Sequence, residues 1–277
     1  EPDEVIGKPY TAVVSQPEVL ELLDPQTRGL ADRTEMIVED GRSFMIQRTP
    51  IPEVGIALTL NDITSLKKLD RIKSDFVSAV SHDLRSPLTA ILGYAELVER
   101  AGPVNELQQE FIRRVQASVQ NITYLVDDLV NLGRIEAGLD TRREPIDLPQ
   151  VIEQVSQNFK KAIARKNAEL TVELPEDLPD FHGNPVQIRQ MFEHLIDNSI
   201  KYSQEGGRIT VTGEVEQDQI IIQFADSGIG IPPADLPYIF DKFFRASNVD
   251  SETAGTGLGL AIVRSIVLSH GGRIWVD

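Results

Sequence analysis

Across 277 residues, 43 acidic against 27 basic side chains give a formal net charge of -16, which argues against nucleic acid or anionic lipid as the partner, since both select basic surfaces. The absence of cysteine excludes disulfides, thiol nucleophiles and Cys-type zinc sites and fits a reducing compartment. With 41 % hydrophobic and 25 % charged residues, no apolar run of about 18 residues and no signal-peptide pattern at Glu1–Tyr10, the chain reads as soluble, cytoplasmic and built of two or three units of about 100 residues, with room for a membrane anchor upstream.

The first 64 residues read as strands and turns: Thr34–Val38, a turn at Glu39-Asp40-Gly41, Ser43–Arg48, a proline-containing break, then Gly55–Leu60. From Ser65 the period changes. Leu66, Leu69, Ile72, Phe76, Val80, Leu84, Leu88 and Ile91 recur every three or four residues, as on an amphipathic helix. Ala101-Gly102-Pro103 forms a turn, and a second helix carries Phe111, Val115, Val119, Ile122, Val126, Leu129 and Leu132 on one stripe. Two such helices form an antiparallel hairpin too thin to bury both stripes, so a four-helix bundle made by two chains, a homodimer, is expected. Beyond Gly138 the pattern is mixed: a helix over Pro149–Arg165, a strand at Glu169–Glu173, a helix over Pro185–Tyr202, a hairpin at Arg208–Glu214 and Gln219–Phe224, a glycine-rich stretch, and a last helix near Leu258–Ser269. The fold class is therefore α+β and multidomain.

Of four histidines, His82 lies mid-helix in Ser81-His82-Asp83-Leu84-Arg85-Ser86-Pro87. A neutral imidazole is a competent nitrogen nucleophile, and the adjacent Asp83 can orient one ring nitrogen while the other attacks phosphorus. Pro87 cannot donate to the carbonyl of Asp83, so the helix is expected to bend one turn beyond the histidine. Ser86, four residues after His82, shares its face and could position a water. The plainer alternative is a surface histidine beside an ordinary kink.

No Walker-type loop and no dinucleotide-type glycine fingerprint occur. Three other segments suit a nucleotide. Asn198, Lys201 and Tyr202 fall on one helix face and offer a neutral oxygen for a hard cation, a cation for phosphate and an aromatic ring. Asp226-Ser227-Gly228-Ile229-Gly230 follows an apolar strand, with a carboxylate able to accept from an exocyclic amine and glycines that admit a flat base. Gly255-Thr256-Gly257-Leu258-Gly259 opens a helix, whose unpaired N–H groups suit phosphates. Singly, each also reads as an amphipathic helix, a hairpin turn or a flexible loop.

The run Asp75–Thr89 around His82 resembles the phosphoacceptor box of sensor histidine kinases, and the three nucleotide segments, in this order, resemble the N box and two glycine boxes of the GHKL ATPases. Phe240-Asp241-Lys242-Phe243-Phe244-Arg245 is similar to the phenylalanine box of histidine kinases. The resemblance implies autophosphorylation of His82 from MgATP, then transfer to an aspartate of a response-regulator receiver domain. It implies that Asn198 holds Mg²⁺, Asp226 reads the adenine amine, Tyr202 flanks the nucleotide, Lys201, Lys242 or Arg245 reach phosphates, and residues between Arg245 and Gly255 form a lid. His194 stands where the family often has a second Asn and reads equally as a metal-side or a packed histidine. Ser86 stands where the family usually has Thr or Asn, which bears on any phosphatase activity. Glu4–Pro9 and the sheet ending at Thr64 resemble the back of a PAS sensor domain. The expected organisation is 1–64 partial PAS-like domain, 65–139 dimerisation and phosphotransfer hairpin, and 140–277 an α/β sandwich that binds ATP, with its last strand beyond Asp277. A scaffold that only relays conformation, and a chaperone- or topoisomerase-type ATPase, are the alternatives.

Overall fold

A computed structural model describes residues 6–23, 33–38, 40–52, 55–175, 178–217, 219–250 and 255–277. Glu4, Val5, Glu39 and residues 251–254 of the expected lid lie outside them. The chain divides into two compact units, Glu1–Lys73 and Ser74–Asp277.

In the first unit, two short helices, α1 (Tyr10–Val13) and α2 (Pro17–Leu23), precede strands β1 (Arg33–Ile37), β2 (Ser43–Ile51) and β3 (Gly55–Asp62). The strands form an antiparallel sheet in the order β1-β2-β3, with Met36 opposite Phe44 and Ile46 opposite Leu60. Alternation places Ile46 and Met36 on the face that α2 covers with Val19 and Leu22. The expected strands are present. The helices are not in the sequence reading, because four and seven residues are too few to display a period.

A long helix, α3 (Thr64–Ala101), continues into the second unit and, with α4 (Glu106–Glu136), makes the expected hairpin. Asn105 caps α4 in a reciprocal capping box with Gln108, which sets where the second helix starts. Ser81, Leu88 and Ala95 on α3 and Ile112, Val119 and Val126 on α4 are buried at every seventh position, the spacing of a helix-helix seam. α3 runs through Pro87 as one continuous helical element. The hydroxyl of Thr89 donates to the Arg85 carbonyl at 2.9 Å within the same stretch.

After the hairpin come β4 (Glu144–Ile146), α5 (Leu148–Arg165), β5 (Glu169–Glu173), β6 (Phe181–Gly183), α6 (Pro185–Tyr202), β7 (Arg208–Glu216), β8 (Gln219–Asp226), a 3₁₀ turn at Leu236–Tyr238 and α7 (Gly259–Ser269). β5 pairs parallel with β7, β7 antiparallel with β8, and β4 with β6 in a small separate ribbon. Ile152 and Val155 of α5, Ile188, Phe192 and Ile196 of α6, and Ile262 and Ile266 of α7 pack with Ile209 and Val211 of the sheet into one core. Each fully buried aliphatic side chain stabilises this layer by about 1.5–3 kcal/mol. The core also takes in Leu132 and Ile135, so the end of α4 is packed onto the α/β layers.

Candidate functional site

The phosphoacceptor candidate is open to attack. The side chain of His82 is 84 % exposed, and its Nδ1 lies 3.3 Å from Asp83 Oδ1. In the neutral ring that contact favours a proton on Nδ1 and a lone pair on Nε2. Ser86 is exposed one turn further along α3. Arg85 Nη2 donates to Asp127 Oδ1 at 2.8 Å and ties α3 to α4 beside the histidine.

The second site is built on α6, whose ends are both fixed. Asn184 caps its first turn by accepting from the amides of Val186 and Gln187, with Pro185 at the start. At the other end Lys166 Nζ donates to the carbonyls of Lys201 and Ser203 at 2.7 and 3.0 Å, a cation on a helix C-terminus. Asn198, Lys201 and Tyr202 thereby face the second glycine segment. Lys201 Nζ lies against Gly255 and over the Tyr202 ring, 4.8 Å from its centroid. A side chain at Gly259 would come 3.4 Å from His194 Nδ1 and 3.8 Å from Asn198 Nδ2.

Two glycines are required by geometry. A β-carbon at Gly228 would sit 2.6 Å from both the Tyr202 carbonyl and Asp226 Oδ1, because the amide of Ile229 donates to Tyr202 and that of Gly228 to Asp226 at 2.9 Å. The latter bond orients the exposed Asp226 carboxylate. Gly257 has φ +70° and stacks on the backbone of Phe243 and Phe244, linking the phenylalanine segment to the helix start. The N-terminus of α7 has no side-chain cap, so its first amides are available to an anion. Leu258 is wholly buried and contributes its backbone alone.

Three of the sequence-predicted residues have other partners here. Lys242 pairs with Glu136 of α4 at 2.7 Å, Arg245 donates to the Asp250 carbonyl at 2.8 Å, and Thr256, whose Oγ1 accepts from the Leu258 amide at 3.2 Å, lies beside the half-buried carboxylate of Asp128 on α4 and favours its charged form. Asp128 also lies 3.6 Å from His194 Nε2. Burial, with Asp127 and Asp197 nearby, pushes Asp128 up to about 6, while burial pushes His194 down to about 4. At neutral pH the contact is therefore carboxylate to neutral imidazole, not an ion pair. Asp128 and Glu136 are residues that sequence reasoning missed. They look like ordinary polar positions on an amphipathic helix, and nothing local marks which of them meets another layer.

The residues fit a magnesium nucleotide. Among the described residues no group of three or more His, Asp or Glu side chains could hold a metal alone. Mg²⁺ in nucleotide sites commonly takes one protein oxygen or two, the rest coming from phosphate and water, and the half-buried Asn198 amide beside the α7 amides meets that need. No helix among the described residues is long and apolar enough to cross a membrane.

Residues 72–138 match the family model "His Kinase A (phospho-acceptor) domain", and residues 183–277 match "Histidine kinase-, DNA gyrase B-, and HSP90-like ATPase". The chain is 30 % identical over 268 residues to the sensor protein DivL of Caulobacter vibrioides, covering 91 % of this chain and 34 % of DivL. It is 33 % identical over 242 residues to the sensor histidine kinase WalK of Bacillus subtilis, covering 84 % and 39 %. To the histidine-protein kinase BaeS of Escherichia coli it is 31 % identical over 257 residues, covering 91 % and 54 %. It thus spans about a third to a half of these relatives. A crystal structure of full-length ShkA in complex with AMPPNP matches with a TM-score of 0.60 at 25 % identity, over 72 % of this chain and 42 % of that one.

Proposed function

We propose that this chain, which belongs to the sensor histidine kinases of two-component systems, transfers the γ-phosphoryl group of ATP to His82 and then to an aspartate of a response-regulator receiver domain. One observation carries the reading: an exposed histidine with its Nδ1 held by Asp83 sits on a hairpin that shares one compact unit with a nucleotide-type α/β layer. A chaperone-type ATPase has no use for that histidine.

ATP is the substrate. Asp226 accepts from the adenine amine, Gly228 and Gly230 admit the base, and Tyr202 flanks it. Lys201 and the backbone of 255–259 hold the phosphates, the Leu258 amide exchanging its present acceptor, Thr256 Oγ1 at 3.2 Å, for a phosphate oxygen, with Lys242 and Arg245 supplying further charge. Asn198 holds Mg²⁺, which supplies charge neutralisation on the phosphate oxygens when bound. His82 Nε2 forms a bond to the γ-phosphorus as the bond to the β,γ-bridging oxygen breaks, and ADP leaves. Asp83 accepts the hydrogen bond from Nδ1–H and so stabilises positive charge building on the ring. In the reverse sense, we assign Ser86 to positioning a water near the phosphorylated ring.

The nucleotide boxes face Asp128 and Glu136 on α4, whereas His82 faces Asp127 and Arg134, roughly a third to a half of a turn away round the same helix. Phosphorylation therefore requires the α/β layers to leave this position on α4. We assign residues 65–139 to dimerisation and phosphotransfer, 140–277 to ATP binding and 1–64 to a PAS-like sensor. Leu84, Ile91, Val98, Phe111, Val115 and Ile122 remain 42–55 % exposed on the hairpin, an apolar surface that a second copy would cover as a four-helix bundle.

The test is incubation with γ-³²P-ATP and Mg²⁺. The chain should acquire an acid-labile, base-stable label that His82→Gln and Asn198→Asp both remove, whereas label persisting in His82→Gln would refute the assignment.

A further inference from the structure

Beside His82 the two hairpin helices line a solvent-open cavity of about 450 Å³, formed from α3 by Ser81, His82 and Arg85 and from α4 by Asp127, Val130, Asn131 and Arg134. Asp127, Asn131 and Arg134 recur at intervals of four and three, so they share the face turned toward α3, and Arg85 lies three residues after the histidine on its own face. The space is many times the roughly 30 Å³ share of a water molecule, enough for a phosphoryl group with its solvent. The charges are arranged unequally. Arg85 is held by Asp127 at 2.8 Å, while Arg134 has no carboxylate at ion-pair distance among the described residues.

We propose that this cavity seats the phosphoryl group carried by His82: Arg134 and Asn131 bind its oxygens, and Asp127 restrains Arg85 until the phosphoryl dianion draws it away. The inference rests on the kinase reading and adds residues to it. A phosphoryl group brings close to two negative charges and three strong acceptor oxygens, and a guanidinium fork matches two of those oxygens at once. A dianion next to the ring competes with the single charge of Asp127 for Arg85. Arg134 raises the equilibrium amount of phosphohistidine, and Asp127 lowers it. If Arg85 and Asp127 were only a staple between the helices, losing either would loosen the hairpin and change labelling in one direction.

The experiment uses the whole chain at fixed ATP to ADP ratio with Mg²⁺, reading the fraction of phosphohistidine at equilibrium and the ³¹P resonance of phospho-His82 against pH. Arg134→Gln should lower the ratio of phosphorylated to free His82 about tenfold, with Arg134→Lys restoring part of it, and Asp127→Asn should raise the ratio about threefold. The phosphoryl resonance should titrate about one pH unit higher in Arg134→Gln than in the unsubstituted chain, because a nearby cation favours the dianion. Should Arg134→Gln fail to fold, the opposite sign expected of Asp127→Asn decides. Unchanged ratios with coincident titrations, or a fall in Asp127→Asn, overturn the pocket while leaving the kinase reading intact. No acid-labile label in the unsubstituted chain overturns the kinase reading, and the pocket with it.

Discussion

Asp128 is the residue at which the two parts of the second unit meet least comfortably. Its carboxylate is buried against His194 and Thr256, with Asp127 and Asp197 nearby, and its pKa is raised to about 6 chiefly by burial. Because the folded-state value lies above the unfolded one, the folded chain binds more protons between about pH 4 and 6, and stability falls as pH rises through that window. His194 is lowered to about 4 by burial, so it costs stability as pH falls from about 6.5 toward 4. Asp128→Asn should therefore stabilise the chain at pH 7.5 by about 1–2 kcal/mol and remove the Asp128 share of the fall in stability as pH rises toward 6, while the acid-side loss from His194 persists. Urea unfolding at several pH values checks this. A destabilised variant at pH 7.5 would mean that Asp128 has a compensating charge partner there.

At the scale of elements, α6 is the platform of the nucleotide site, and its register depends on Asn184. Asn184→Ala should cost about 1–2 kcal/mol in urea unfolding and weaken AMPPNP binding as well, since the face carrying Asn198, Lys201 and Tyr202 is set by that cap. Unaltered nucleotide binding in a destabilised variant would separate the cap from the site. α6 was legible in the sequence to the residue, because Asn184-Pro185 announces its start and Ile188, Phe192, Ile196 and Ile200 keep one stripe. The hairpin of β7 and β8 was legible from its apolar runs, with both strand starts correct and each strand two residues short at its C-terminal end. β4 and β6 were not, since three residues display no alternation and their pairing joins segments far apart in the chain. The three boxes and His82 are short local motifs, legible through the family resemblance they carry. Asp127, Asp128, Arg134 and Glu136 are not, because their meaning lies in which layer α4 touches.

For the whole molecule, the apolar surface left open on the hairpin and the position of the nucleotide boxes on α4 point the same way. On the proposed reading the chain acts as a pair, and its α/β layers move. Phe111→Asp with Val115→Asp should convert a dimer to a monomer in sedimentation at micromolar concentration, while AMPPNP binding persists. A monomeric unsubstituted chain would contradict the bundle. The central claim, that ATP phosphorylates His82, is tested most directly by mass-spectrometric site mapping at neutral to basic pH after incubation with MgATP. The account predicts one phosphoryl group on the peptide containing His82, on the imidazole, lost on brief acid treatment. Phosphate on serine or threonine alone, or steady ATP turnover with His82 unmodified, would contradict it.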